Sequence, residues 1–202
     1  MSHNFWQGEN IRLRPLEQQD LDDILTSTEE PDTEIDRNED VIGFPLPRIK
    51  QRKQTEDLVE QLGKNDFYLW VIENHEGQKV GFINSFDLER RHGTFKYAII
   101  IKRPFWGKGY AQEAVKIVFR YYFRELRYQK VNATVYAFNE RSIRFHQKLG
   151  FKLEGRLRRT VYTNGQFFDT LYFGMTGEEF DQFDKKIDIT DVSLSMEEII
   201  KE

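Results

Sequence analysis

The chain has 202 residues, 39% of them hydrophobic and 32% charged, enough for one soluble domain with a substantial core. With 30 cations against 34 anions the net charge is −4, which gives no whole-protein case for nucleic-acid binding, and the lack of cysteine excludes disulfides, thiolate metal sites and a Cys nucleophile. The 4 histidines show no metal spacing, no apolar run approaches a membrane span, and MSHNFWQGEN lacks the basic-then-apolar pattern of a signal peptide. The expectation is a cytoplasmic protein with no metal, no membrane contact and no nucleic-acid partner.

In chain order, Ile11 and Leu13 alternate with Arg12 and Arg14 as in a half-buried strand that Pro15 ends. Glu17 to Thr28 carries Leu21, Ile24 and Leu25 on one helical face. Glu29 to Asp40 holds seven carboxylates against one Arg, read first as a solvated loop and second as a rim attracting a cationic substrate. Gly43 to Pro47 is turn-prone, and residues 48–62 read as a helix that Gly63 stops. Three meander strands follow, Phe67 to Glu73, Lys79 to Leu88 and Thr94 to Ile101, joined by turns at His75-Glu76-Gly77 and Arg91-His92-Gly93.

The stretch 94–119 organises the rest. A strand stops at Lys102-Arg103-Pro104 and a turn, Trp106 to Ala111, opens a helix with Ala111, Ala114, Val115, Val118, Phe119 and Tyr122 on one face. Strand, glycine turn and helix aim unpaired N–H groups at an anion, and Gly107 and Gly109 leave room for a phosphate. The plain alternative is a tight turn and nothing more. The P-loop is excluded because no Gly-Lys-Ser/Thr follows, and the dinucleotide fingerprint because it needs three glycines. Lys130 to Phe138 then alternates Val131, Ala133, Val135 and Ala137 as a strand able to pair parallel with Thr94 to Ile101. Asn139 opens a helix that Gly150 ends, and Asn164-Gly165 joins Phe151–Tyr162 to Phe167–Met175 as a hairpin. The remainder, 177–202, is acidic and thinly apolar, with Ser195-Met196-Glu197-Glu198 able to cap a short helix. No repeat or second domain is visible, so 1–202 reads as a single domain with a core over 9–176 and an acidic extension.

Trp106-Gly107-Lys108-Gly109-Tyr110-Ala111 resembles the pyrophosphate loop of the GNAT acetyltransferase superfamily, Gln/Arg-x-x-Gly-x-Gly/Ala, with Trp in place of Gln/Arg. Asn139-x-x-Ser142, Lys148-Leu149-Gly150-Phe151 and Glu154-Gly155 are similar to the stretch that follows this loop in GNAT enzymes. Arg12 to Leu16, Asn164-Gly165 and Asp169 resemble the branch that acetylates ribosomal-protein N-termini.

The resemblance implies an α+β, three-layer α/β/α fold. Its mixed, mostly antiparallel seven-stranded sheet would have a V-shaped split between the fourth and fifth strands. It implies acetyl-CoA as co-substrate, its arm pairing with backbone groups of Ile99, Ile100 and Ile101 and its pyrophosphate on Gly107, Lys108, Gly109, Tyr110, Ala111 and Gln112. Asn139 would hydrogen-bond the arm, although capping the helix explains that residue equally well.

The implied reaction is N-acetylation of a primary amine, either a peptide N-terminus or a small molecule such as a polyamine or amino-sugar antibiotic. A non-catalytic acyl-CoA sensor is the alternative of another class, and a homodimer is compatible with the resemblance. The Tyr that many GNAT enzymes use as acid falls at His146. The Ser proposed in the ribosomal branch falls at Ser142, so these two are the catalytic candidates. The carboxylate base of that branch falls at Val161, which leaves Asp87 and Glu89 as substitutes. Phe145 and Leu149 read as core. Lys152, Arg156, Arg158 and Arg159 read as solvated strand faces or an edge of the 3′-phosphate site.

Overall fold

The computed structural model describes residues 4–17, 20–21 and 47–185. The strand β1 is Ile11–Pro15, the helix α1 Arg48–Gln61, and the strands β2 Leu69–Asn74, β3 Lys79–Glu89 and β4 Thr94–Ile101. They are followed by α2 (Tyr110–Arg120), β5 (Lys130–Tyr136), α3 (Glu140–Leu149), β6 (Lys152–Thr163) and β7 (Gln166–Thr176). Most of the expected helix 17–28, the acidic segment 29–40, the turn at 43–46 and the Ser195 cap lie outside the described residues. No described helix is long and apolar enough to cross a membrane.

The seven strands form one sheet in the order β1-β2-β3-β4-β5-β7-β6, antiparallel except for β4 with β5. Alternation explains the burial: Val131, Ala133 and Val135 of β5 all point inward. Trp70 and Ile72 belong to the main core cluster, and Val71 between them is fully buried on the opposite face, so both faces of β2 are covered. The apolar stripe of α2, Ala114, Val115, Ile117, Val118 and Phe119, closes the core over the sheet. At its centre Phe95 stacks on Tyr122 at 4.3 Å and meets Phe119 and Tyr128 edge-on. The buried Tyr122 hydroxyl donates to the Asp66 carbonyl at 2.5 Å, which satisfies a group that burial would otherwise penalise.

Two features go beyond the sequence reading. Residues 177–185 are helical (α4), and Phe180 in that helix is fully buried against Phe119 and Phe123. Burial pushes the Asp184 carboxyl up, but Arg120 at 2.8 and 2.9 Å, with Lys116 and Arg124, outweighs it and holds the group below the ordinary carboxylate range. The first turns of the expected extension are therefore packed core. The second feature is the hairpin, where Asp169 accepts from Arg156 Nε at 2.5 Å and Arg159 N–H at 2.9 Å across a register shift between Leu157 and Val161. The carboxylate fixes an irregular strand whose Arg159 has φ +55°.

Gly81 marks a close approach within the sheet. A Cβ there would collide with the carbonyl oxygen of Ile100, which is backbone and cannot swing aside. Gly81→Ala is expected to lower the unfolding free energy by about 1–3 kcal/mol. Urea denaturation checks this, and an unchanged midpoint at unchanged slope would show that β3 and β4 part without cost.

Candidate active site

The parallel pairing of β4 and β5 lasts for three residue pairs, Thr94↔Lys130, Phe95↔Val131 and Lys96↔Asn132. Beyond it β4 continues as Tyr97–Ile101 against β3 alone, and the two strands splay. Lys102 N–H donates to the Val80 carbonyl at 2.9 Å, so the alternation of an antiparallel ladder turns the peptide groups of Ile100 toward β3. Those of Ile99 and Ile101 face the open side. The Ile101 carbonyl accepts the indole Nε1–H of Trp106, which leaves Ile99 with the freest edge.

A cavity of about 400 Å³ fills this opening, between the end of β4, the turn before α2 and the inner face of α3. Gly107 (φ +77°) and Gly109 (φ +82°, the N-cap of α2) hold left-handed conformations that side chains resist. Among the described residues, no atom beyond the adjoining chain lies within 4 Å of where a Cβ would stand at either, so among them that side is open. Gly109 offers no side-chain cap, and the first amides of α2, at Tyr110, Ala111 and Gln112, carry the positive end of the helix. Lys108, Arg141 and Lys148 line the cavity, and the described lining includes no carboxylate. A cationic cavity in a chain of net charge −4 selects for anions.

On the far wall, Asn139 Oδ1 accepts from Ser142 N–H at 3.0 Å, so the helix cap expected from sequence is present, and Asn139 also borders the cavity. Ser142 and His146 sit one turn apart on the inner face of α3. His146 is only 6% exposed. Its Nδ1 lies 2.8 Å from the Ser142 carbonyl, which requires a proton on Nδ1, and its Nε2 then accepts from the Tyr97 hydroxyl at 2.9 Å. Burial pulls the imidazole pKa down to about 4, only partly opposed by that carbonyl. The ring is neutral at physiological pH. Burial likewise pushes the Tyr97 hydroxyl above its ordinary value, keeping it protonated as a donor. Ser142 Oγ is 3.3 Å from Nδ1, so the hydroxyl accepts from the ring and keeps its own proton free to donate elsewhere.

All the residues expected to meet the carrier, Ile99 to Ile101, Gly107 to Gln112, Asn139 and Ser142, border this one cavity, together with His146. The expected base does not join them. Asp87 is paired with Lys96 at 2.9 Å, Glu89 stands opposite Thr94, and neither lines the cavity. Nor do the hairpin cations: Lys152 pairs with Glu179, Arg156 with Asp169, and Arg159 lies over Phe167. Phe145, expected in the core, packs against it and also forms part of the cavity wall, and Leu149 is buried. Sequence reasoning missed Tyr97, Arg141 and Lys148. No local sequence signal marked Tyr97, whose partner His146 is 49 residues away.

The family model described as an acetyltransferase (GNAT) domain matches residues 10–152. A prophage-derived uncharacterized N-acetyltransferase of Bacillus subtilis, YokL, is 44% identical over 181 residues, covering 90% of this chain and 98% of that protein. The spermidine N(1)-acetyltransferase of Escherichia coli is 27% identical over 159 residues, 78% of this chain and 81% of its own. Among solved structures, a spermidine N-acetyltransferase from Vibrio cholerae in complex with CoA and spermine superposes with a TM-score of 0.73 at 21% identity, over 84% of this chain and 97% of that one. The family match spans most of the strands and helices that build the split sheet and its cavity, and the chain belongs to the GNAT acetyltransferases, which are acetyl-CoA-dependent acyltransferases.

Proposed function

We propose that this chain acetylates a primary amine, with acetyl-CoA lying in the cavity between β4 and α3. The observation that carries the reading is the wall itself: among the described residues it has three cations, no carboxylate, and two Cβ-free positions beside the uncapped start of α2. These fit a long carrier bearing phosphates. The amides of Lys108 to Gln112 would hold the pyrophosphate, and the peptide groups of Ile99 and the side chain of Asn139 would orient the arm. Acetyl-CoA supplies the activated acyl group as a thioester.

Ser142 is the residue we place against the departing sulfur, because its hydroxyl proton is not required by His146. His146 acts from behind, through Ser142. Its own nitrogens are committed to the Ser142 carbonyl and to Tyr97. No base is assigned, and an amine that arrives neutral needs none for attack. We read residues 1–202 as one domain, because elements from β1 to α4 contribute to a single core cluster.

For the acceptor, a polyamine is favoured over a peptide N-terminus by a spermidine acetyltransferase relative that aligns along about four fifths of both chains. The acidic segment 29–40 has the charge to attract such a cation. Release of CoA thiol from acetyl-CoA, followed with spermidine, spermine, an amino-sugar antibiotic and peptides beginning with Ser or Ala, tests both levels. Turnover highest with a polyamine is the expected result. Turnover with the peptides alone would move the acceptor to a protein N-terminus, and thiol release with no amine in the panel would contradict the polyamine and peptide readings together.

A further inference from the structure

We infer that Tyr97 is a positioning residue for acetyl transfer: through His146 it holds the Ser142 hydroxyl in register with the strand that orients the thioester. The inference rests on the reading of Ser142 as the group against the departing sulfur. Tyr97 lies on β4, one residue past the last β4–β5 pair and two before Ile99, whose peptide groups face the opening. Ser142 and His146 lie on α3, which follows β5 on the other arm of the split. The Tyr97 hydroxyl donates to His146 Nε2 at 2.9 Å, so one hydrogen bond ties the two arms where the sheet has stopped pairing them.

The tie reaches Ser142 in one further step. A neutral ring that accepts at Nε2 carries its proton on Nδ1. That N–H points at the Ser142 carbonyl, 2.8 Å away, with Ser142 Oγ at 3.3 Å. The ring thus grips the first turn of α3 with one nitrogen while Tyr97 grips the ring at the other. Rotation of the imidazole is resisted by Phe173, stacked on it at 5.7 Å, and by Phe151, edge-on at 5.0 Å. Phe119 meets the Tyr97 ring edge-on, also at 5.0 Å.

Packing alone gives no reason for this pair. Both residues are buried among aromatic neighbours, where a hydroxyl and an imidazole carry a desolvation cost that their mutual hydrogen bond offsets. Two phenylalanines would fill the same space without that cost. What the polar pair adds is a fixed Ser142, which borders the cavity, whereas Tyr97 does not and acts only through the ring.

Thiol release at saturating acetyl-CoA, with spermidine or failing that a peptide beginning with Ser as acceptor, tests this beside acetyl-CoA calorimetry and thermal unfolding. The proteins compared are the native chain, Tyr97→Phe, Ser142→Ala, Tyr97→Phe/Ser142→Ala and Tyr97→Phe/His146→Phe. Tyr97→Phe should lower kcat about ten- to a hundredfold, the cost of displacing a reacting group by about 1 Å, and leave acetyl-CoA affinity within about twofold. It should add less than about twofold to the loss in Ser142→Ala, because it acts through that hydroxyl. Nitrogen NMR should find the His146 proton on Nδ1 in the native protein. Tyr97→Phe should also unfold at lower temperature, since it strands Nε2, whereas Tyr97→Phe/His146→Phe should regain near-native stability and still show the low kcat. A purely structural pair would give a lowered unfolding temperature in Tyr97→Phe with native kcat, and that result overturns the inference. So does full additivity of Tyr97→Phe with Ser142→Ala, or a native ring protonated on Nε2. Native kcat in Ser142→Ala would remove the reading on which the inference rests, and the inference with it. A native protein that releases no thiol with either acceptor would contradict acetyl transfer itself, which is a different result from an active native chain beside an equally active Tyr97→Phe.

Discussion

Gly109→Val is expected to bind acetyl-CoA at least a hundredfold more weakly than the native chain while remaining folded. The substitution acts twice at one position. Gly109 has φ +82° and ψ −10°, where a β-branched residue is strained by roughly 1–3 kcal/mol. That is less than the typical 5–15 kcal/mol of a folded domain, and among the described residues no atom beyond the adjoining chain stands within 4 Å of the new Cβ to add a clash. The open space is also the space the phosphates need, and the two γ-methyl groups would occupy it. Gly109→Ala, which adds the strain and only one methyl, should fall between. Calorimetry on variants shown to be folded by circular dichroism decides the point. Native affinity in a folded Gly109→Val protein would mean that the phosphates bind elsewhere.

Ser142→Ala is expected to lower kcat at saturating acetyl-CoA by about 10²- to 10⁴-fold, the usual worth of a proton donor placed on a leaving group. His146→Phe should cost less, because the imidazole supports Ser142 rather than meeting the substrate, and part of its effect should appear in thermal stability as Tyr97 loses its acceptor. The pH dependence separates the two roles. With an imidazole pKa near 4, roughly one His146 in a hundred is protonated at pH 6, and fewer at pH 8. kcat between pH 6 and 8 should therefore show no inflection that His146→Phe removes. An inflection near 6.5 that disappears in His146→Phe, with Ser142→Ala near native, would make His146 the acid.

Local signals carried most of the fold. The spacing of α2, the alternation of β5, the Asn139 cap, the Gly150 stop and the Asn164-Gly165 turn are short-range rules, and each appears where the residues place it. The candidate carrier residues were legible for the same reason, since loop and helix start are contiguous in sequence. What the sequence hid depends on distance. Tyr97 and His146 are 49 residues apart and meet only because the helix after β5 folds back over β4. Phe180 lies in a stretch too sparsely apolar to announce a buried helix, and it is the pairing of Asp184 with cations of α2 that anchors it. Lys152 and Arg156 read as solvated strand faces because their partners, Glu179 and Asp169, lie far along the chain.

A crystal structure of the protein soaked with acetyl-CoA tests the central claim most directly. The account predicts pyrophosphate oxygens within hydrogen-bonding distance of the Lys108 to Gln112 amides, with the arm beside Ile99 and the sulfur next to Ser142. Density for the carrier outside the cleft between β4 and α3, or with its phosphates away from the 107–112 turn, would contradict it.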